Sequence, residues 1–282
     1  MNTVPAQDNK AHLLEMTDNE FTQLSTFVKS RYGIDLTQKR TLIQGRLTHD
    51  LRSRGINSFQ EYFKLLNNDP SGTEITNLLN RLTTNLSYFL RENEHFDFMT
   101  KVMLPHWEQT VRDHDLRIWS AGCSAGQEAY TAQMVMHDYF GARKNVWDTT
   151  ILATDISAKA MNKAKSGIYT FDELKDIPAE WKSKYFQKAG ADSLQVCDKI
   201  RKEVVFRTLN LMDDFHFKRQ FHLIFCRNVM IYFDTQTKKE LVKKFYEWTA
   251  PGGYFFISHS ESLNSLGSQF KYIHPAIYQK QV

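Results

Sequence analysis

The chain of 282 residues has three cysteines, Cys123, Cys197 and Cys226, and none forms a Cys-x-x-Cys pair or a Cys/His ligand spacing. So sparse and odd a number fits a reducing compartment better than a disulfide framework. The ten histidines are scattered without a His-Glu-x-x-His run, so no metal is expected. No stretch approaches the roughly 20 apolar residues that cross a bilayer. The opening "MNTVPAQDNKAHLLEM" lacks the apolar centre of a secretory leader. The expectation is a cytoplasmic protein, not inserted in a membrane. A net charge of only +4 is too small to argue for nucleic acid, since one local patch could hold the whole excess. No repeat or low-complexity segment occurs, and no Ser/His/Asp or Cys/His arrangement points to nucleophilic catalysis.

What is present is ordinary globular material, 41% hydrophobic and 24% charged, long enough for one large domain and a smaller one. Two styles of sequence divide it. From Asp18 to about Leu90 the period is helical. Phe21, Leu24, Val28 and Tyr32 mark a first helix stopped by Gly33, and Ile43, Leu47 and Leu51 a second ending near Gly55. Phe59, Tyr62, Phe63 and Leu66 mark a third, and Ile75, Leu78, Leu79 and Leu82 a fourth. From about 116, short apolar runs ("LRIWS", "TILAT", "EVVFRT", "FHLIFC", "GYFFIS") alternate with helical segments near 126–140, 157–165 and 235–249. Alternation of this kind implies parallel pairing, hence an α/β doubly wound sheet. The expected organisation is a flexible N-terminus over 1–17, a helical domain over 18–90, a linker or helix over 91–115 and an α/β domain over 116–282. A long polar stretch at about 167–202 reads as an insertion in the last of these.

Ligands of such sheets lie beyond the carboxyl ends of the strands. Those ends read "SAGCSAGQE", "ATDIS", "LNLMD", "FCRNVMIYF" and "SHSES". Gly122 and Gly126 allow close backbone approach, but they do not form Gly-x-Gly-x-x-Gly. Glu128 behind them would repel a pyrophosphate and suits a ligand with a cationic centre or free hydroxyls; it also serves as an ordinary first-turn charge. Asp155 fits a ribose diol or a helix N-cap, though Ser157 is placed to cap instead. The Arg227–Asn228 pair, with Tyr232 following, sits where an unpaired charge is costly, so Arg227 is either a site residue or half of a structural ion pair. Asn85, Ser87 and Arg91 form a second polar set that plain helix capping would also explain. The second helix carries Lys39, Arg40, Arg46, Arg52 and Arg54 against Asp50 alone. Arg46, His49 and Arg52 project away from its apolar stripe, toward solvent or an acidic partner.

Taken together, "TTNLSYFLRE", "WSAGCSAGQEAY", "LATDIS", "FCRNVMIYFD" and "PGGYFFISHSESL" resemble the chemotaxis receptor methyltransferases, the CheR family, over about residues 18–279. The resemblance implies methyl transfer from S-adenosylmethionine to glutamate side chains of methyl-accepting chemotaxis receptors, with S-adenosylhomocysteine as product. It implies an N-terminal all-α domain and a Rossmann-like methyltransferase domain bearing a small antiparallel β-subdomain. Asn85, Ser87 and Arg91 would reach over the cofactor. Gly122, Glu128 and Asp155 would hold its polar and ribose groups, Asn210 and Leu211 its adenine, and Cys226, Arg227 and Asn228 the pocket floor. Arg227 and Tyr232 would lie beside the transferring methyl as catalytic residues, and Arg46, His49 and Arg52 would meet the receptor. Ser87 stands where a threonine is common, and "QEAY" where "EEPY" is usual. Members that dock on a receptor's C-terminal tether carry a glycine-rich loop in the β-subdomain; only Gly190 stands there, so a tether-independent member is expected. A non-catalytic cofactor-binding scaffold is the rival reading. A nucleic-acid methyltransferase lacks its Asn/Asp-Pro-Pro-aromatic or Cys-Pro motif here.

Overall fold

The computed structural model describes residues 13–83 and 86–282, and it divides into two compact units. Asn85 and the first twelve residues of the expected tail lie outside the described residues. The first unit takes in residues up to 30 and 35–83; residues 31–34 and those from 84 onward group with the second.

Four helices make the first unit: α1 (Asp18–Tyr32), α2 (Arg40–Ser53), α3 (Phe59–Asn67) and α4 (Thr73–Leu82). Their starts follow local chemistry. Thr17 and Glu20 exchange a reciprocal capping pair, with Glu20 N–H donating to Thr17 Oγ1 at 3.2 Å and Thr17 N–H to Glu20 Oε2 at 2.8 Å. Ser58 caps α3 by accepting from Glu61 N–H at 3.1 Å. The apolar stripes meet as their period requires: Leu24, Val28, Ile43, Leu47, Leu51, Tyr62 and Leu78 are all buried. Asp50, also buried, is held by Arg81 at 2.5 Å and Arg54 at 3.4 Å, tying α2 to α4.

In the second unit a helical rod runs from α5 (Glu94–Phe98) through a π-helical turn (Met99–Met103) to α6 (Leu104–Thr110). Pro105 explains the wide turn: it has no N–H for the carbonyl of Lys101, and its ring would crowd that carbonyl. Then follow β1 (Ile118–Ala121), α7 (Gln127–Phe140), β2 (Ile151–Asp155) and α8 (Ala158–Ser166). The polar insertion folds as β3 (Ile168–Thr170), α9 (Ala179–Tyr185), β4 (Phe186–Lys188), β5 (Ser193–Val196) and α10 (Asp198–Arg201). The chain returns through β6 (Val204–Thr208), β7 (Phe221–Phe225), α11 (Thr235–Trp248), β8 (Thr249–Phe256), β9 (Lys271–His274) and β10 (Ile277–Gln279).

The main sheet has seven strands in the order β6-β2-β1-β7-β8-β10-β9, and the insertion forms an antiparallel sheet in the order β3-β5-β4. The first five strands of the main sheet are mutually parallel, as expected. The terminal hairpin β9–β10 adds two strands the sequence did not mark, and since β10 runs antiparallel to β8 the sheet is mixed. Its strands are short, and every residue of β9 is exposed, so no apolar run announced them. At the sheet's centre Trp119 is fully buried among Phe215, Phe217, Phe221 and Phe245, with ring centroids 4.9–5.5 Å away. Its indole N–H donates to Thr154 Oγ1 at 2.9 Å, so β1 and β2 are locked together immediately before their functional ends.

Candidate active site

Parallel pairing brings the carboxyl ends of β1, β2, β6, β7 and β8 to one edge. The glycine loop leaving β1 folds back on β2: Gly122 N–H and Cys123 N–H both donate to the Thr154 carbonyl, at 2.7 and 2.9 Å. Asp155 completes the tie, accepting from Ser124 N–H on Oδ2 and Ser157 N–H on Oδ1, each at 2.8 Å. Burial raises the Asp155 pKa, against the pull of the Ser157 and Ser124 donors. Capping of α8 belongs to Ser157, which accepts from Ala160 N–H at 3.2 Å.

Gly122 has φ +82, and a Cβ there would meet Val229 Cγ2 at 2.3 Å. The Cβ side of this glycine is therefore filled by Val229 of the loop after β7. Gly126 has φ +92, with Ala164 and Phe206 against it. Tyr169 of the insertion donates its hydroxyl to the Ala125 carbonyl at 2.5 Å, supporting the loop from below.

Arg227 is the electrostatic centre. Its side chain is only 2% exposed and lies between two carboxylates, with Nη1 to Glu128 Oε2 at 3.2 Å and Nη2 to Glu92 Oε2 at 3.2 Å. Nε also donates to Glu92 Oε2 at 3.4 Å, and Nη2 donates to the Arg91 carbonyl. Glu128 accepts from Ser120 Oγ at 2.6 Å through its other oxygen. Burial raises the Glu128 pKa, while Arg227 and the Ser120 hydroxyl pull it back. The structural ion pair, one of the two readings open for Arg227, is realised here with two partners, because an unpaired guanidinium at this depth would be costly.

The segment 86–92 crosses over this centre in a strained path, Leu90 at φ +59 and Glu92 at φ +51. Ser124 (φ +49) and Asn228 (φ +59) on the two facing loops share the left-handed conformation. Such residues cost about 1–3 kcal/mol each and collect at functional sites. Phe89 anchors the segment edge-on to Tyr169, 4.9 Å between centroids. Arg91 donates to the Leu86 carbonyl at 2.9 Å and lies over the Tyr88 ring.

Of the residues expected to hold a cofactor, Ser87, Arg91, Gly122, Glu128, Arg227 and Asn228 line one pocket, together with Tyr88 and Phe96. Asp155, Asn210, Leu211, Cys226 and Tyr232 do not line it. Asn210 donates to the Arg31 carbonyl and accepts from Met212 N–H in a turn after β6. Leu211 is buried beside it. Cys226 is wholly buried with its N–H on the Phe256 carbonyl, in the core between β7 and β8. Tyr232 is half-buried at the end of the short 3-10 turn Met230–Tyr232. On α2, His49 and Arg52 are exposed, but Arg46 is half-buried and donates to the carbonyls of Arg81 and Leu82 at 3.2 and 3.3 Å. It caps the end of α4 instead of projecting to solvent, because its long side chain reaches orphan carbonyls of a neighbouring helix.

Comparison with known proteins decides what this edge belongs to. The family model "CheR methyltransferase, SAM binding domain" matches residues 85–278, and "CheR methyltransferase, all-alpha domain" matches residues 19–83. The chain belongs to the CheR methyltransferase family. It is 38% identical to the chemotaxis protein methyltransferase of Borreliella burgdorferi, over 99% of this chain and 100% of that one. It is 34% identical to the chemotaxis protein methyltransferase of Escherichia coli, over 91% of this chain and 89% of that one. An S-adenosylmethionine-dependent methyltransferase of known structure from Mesorhizobium loti is similar over 54% of this chain and 51% of that one, at 15% identity and a TM-score of 0.30.

This CheR methyltransferase is therefore an S-adenosylmethionine-dependent enzyme, and its pocket fits that cofactor. A sulfonium bears a positive charge, and the pocket offers the buried Glu128 carboxylate, with no surplus cation at its base because Arg227 is neutralised twice. Arg91 and Ser87 offer donors for the ligand's own carboxylate. Three site residues carried no assigned role in the sequence reading: Glu92, Ser258 and Glu261. Glu92 stands beside Arg91 in a segment that capping alone would explain, and Ser258 and Glu261 lie in "SHSES", a strand end whose chemistry was unassigned.

Glu92, His95 and His259 bring ligand atoms within 4.8 Å of one another, a cluster that invites a metal. The geometry opposes one. The two imidazoles are stacked 5.3 Å apart at 13°, so their in-plane lone pairs do not converge, and Arg227 already holds Glu92. His95 is instead a neutral core residue, fully buried with neither ring nitrogen hydrogen-bonded. Burial, with Arg227, His259 and His274 nearby, lowers its pKa from 6.5 to about 2. The unfolded chain then takes up a proton below about pH 6.5 that the native protein refuses, so stability falls as pH drops from 6.5 toward 2. At pH 5 the loss amounts to about 2 kcal/mol. His222, lowered to about 4 by burial and Arg117, adds to the same slope. Urea denaturation of wild type and His95→Phe at pH 7 and pH 5 should show a clearly smaller pH effect in the variant; equal slopes would refute this.

Proposed function

We propose that this CheR methyltransferase transfers the methyl group of S-adenosylmethionine to glutamate side-chain carboxylates of methyl-accepting chemotaxis receptors. The products are glutamate methyl esters and S-adenosylhomocysteine. The observation that carries the reading is the doubly paired Arg227, buried between Glu92 and Glu128 at the edge of a pocket walled by the glycine loop. Chemotaxis methyltransferases with near full-length similarity supply the reaction class.

A glutamate carboxylate has an ordinary pKa near 4.3 and is already ionised at pH 7, so no general base is needed. Bound S-adenosylmethionine supplies a methyl on a positively charged sulfur, a leaving group that needs no proton. What the protein contributes is alignment. Glu128 presents negative charge to the cofactor, Asp155 its ribose anchor, and Asn210 and Leu211 the adenine wall. Ser87, Arg91 and, by resemblance, Asn85 cover it, while Gly122, Cys226 and Asn228 give the floor through their backbone or position. Each nitrogen of the Arg227 guanidinium meets a protein acceptor. We therefore assign Arg227 to fixing Glu128 and Glu92, and Tyr232 to the side of the incoming carboxylate. The ribose role is tested by calorimetric titration of S-adenosylhomocysteine into wild type and Asp155→Asn. The expected weakening is at least about tenfold, or 1.4 kcal/mol; unchanged affinity would remove Asp155 from the cofactor site.

The acidic methylation helices of receptors are matched by the exposed His49 and Arg52 of α2. Arg46 contributes by holding α4, so Arg46→Glu should lower the stability of the helical unit. By contrast, Arg52→Glu should raise the receptor KM about three- to tenfold with unchanged cofactor affinity, the scale of a rim charge. A KM unmoved in Arg52→Glu and in His49→Glu would take α2 out of the interface. We propose that the enzyme acts without a receptor tether, on the ground that only Gly190 stands in the β4–β5 connection, a hairpin closed by Ala189 N–H on the Ser193 carbonyl. No helix among the described residues is long and apolar enough to cross a membrane, in keeping with a cytoplasmic enzyme. We assign the reaction no metal.

A further inference from the structure

The turn that follows β8 contacts the site from a direction the reaction does not explain. Ser258 is 1% exposed, and its hydroxyl sits between the two sides of the site, accepting from Asn228 Nδ2 at 2.7 Å and donating to Glu92 Oε1 at 2.8 Å. Glu92 in turn pairs with Arg227, so Arg227, Glu92, Ser258 and Asn228 close a ring. Three residues further, Glu261 turns its carboxylate inward. Its Oε2 accepts from Asn228 N–H at 3.1 Å and from Ser258 N–H at 2.8 Å. Its other oxygen is buried without a hydrogen-bond partner among the described residues, so Oε2 alone makes these contacts. Asn228 opens the turn that ends in Tyr232, so this carboxylate ties the turn to the segment after β8. Asn228 is held at φ +59, a conformation that needs local support. A carboxylate oxygen accepting from the Asn228 N–H gives that support.

We infer that Ser258 and Glu261 are positioning residues for methyl transfer, a clamp that sets the Asn228–Tyr232 turn against the cofactor pocket. The inference rests on the proposal that Tyr232 lies on the acceptor side of that pocket. Ser258 fixes the turn through the Asn228 side chain and couples it to the crossover segment through Glu92. Glu261 fixes the same turn through its backbone. Gly122 leaves room for Val229 in the middle of it, so the turn is held on three sides. Displacement of a reacting group by about 1 Å can cost on the order of a hundredfold in rate.

The test uses the full chain, with methyl transfer to receptor measured per S-adenosylhomocysteine-binding site, so that misfolded material is not counted. Glu261→Gln keeps the shape and one acceptor oxygen but loses the charge, and Ser258→Ala removes the bridge; both spare the fold better than Glu261→Ala. Tyr232→Phe is measured alongside. The expected result is kcat at least tenfold lower in Glu261→Gln and in Ser258→Ala, with the S-adenosylhomocysteine Kd within threefold of wild type. Normal kcat per site in both clamp variants, with Tyr232→Phe impaired, overturns the clamp alone. Normal kcat in all three overturns the proposed role of Tyr232 with it. A Kd that rises in step with the lost rate also overturns the clamp, since the turn would then serve only cofactor binding.

Discussion

Arg227→Met is expected to lower stability by about 3–5 kcal/mol and to abolish measurable cofactor binding. The cause is what the substitution leaves behind. Glu92 and Glu128 are both largely buried, and each loses its cationic partner. Breaking a buried pair from one side strands a desolvated charge, which costs more than the pair itself contributes. The Glu128 carboxyl, already raised by burial, loses the nearby charge that opposes this and moves further toward its neutral form. Lysine should rescue poorly, since a single ammonium cannot replace the separate contacts that Nη1, Nη2 and Nε make. The decisive measurement is a double-mutant cycle by chemical denaturation. Arg227→Met/Glu128→Gln should recover at least about 1 kcal/mol relative to the sum of the single variants. Strict additivity would mean that the two groups do not sense each other.

Gly122→Ala should be nearly as damaging for a different reason. At φ +82 the backbone is left-handed, which costs a β-carbon-bearing residue about 1–2 kcal/mol. The new Cβ also falls 2.3 Å from Val229 Cγ2, well inside contact distance. Forcing the valine aside adds about 1–3 kcal/mol and shifts the turn that carries Asn228. Val229→Ala in the same chain should restore the packing part, leaving the conformational part. Thermal unfolding of Gly122→Ala, Val229→Ala and the pair measures the split. If the double variant is no more stable than Gly122→Ala, backbone conformation alone explains the glycine.

Much of the fold was legible because its signals are local. The helical stripes of the first unit and the five parallel strands follow from side-chain period, and both appear where the period put them. The terminal hairpin was not legible, since β9 is exposed throughout and its pairing with β10 is decided by the edge of β8. The site divides in the same way. The strand-end rule found Gly122, Glu128 and the Arg227–Asn228 pair, which line one pocket, because parallel strands must deliver their carboxyl ends to one edge. It found "SHSES" too, but gave it no role, and Glu92 was hidden in a segment that ordinary capping would explain.

Composition, period and motif order determined the family, the two-part architecture and the cofactor class, all properties of short stretches of chain read one at a time. Only the tertiary structure decided which partners the charges took. Arg227 found two carboxylates from distant segments, Arg46 turned from solvent to the end of α4, and the glycine at 122 made way for Val229. The physical reason is that a buried charge must be paired and a buried space must be filled. Which residue does either is fixed by folding together segments that lie from about 35 to 135 positions apart in the chain.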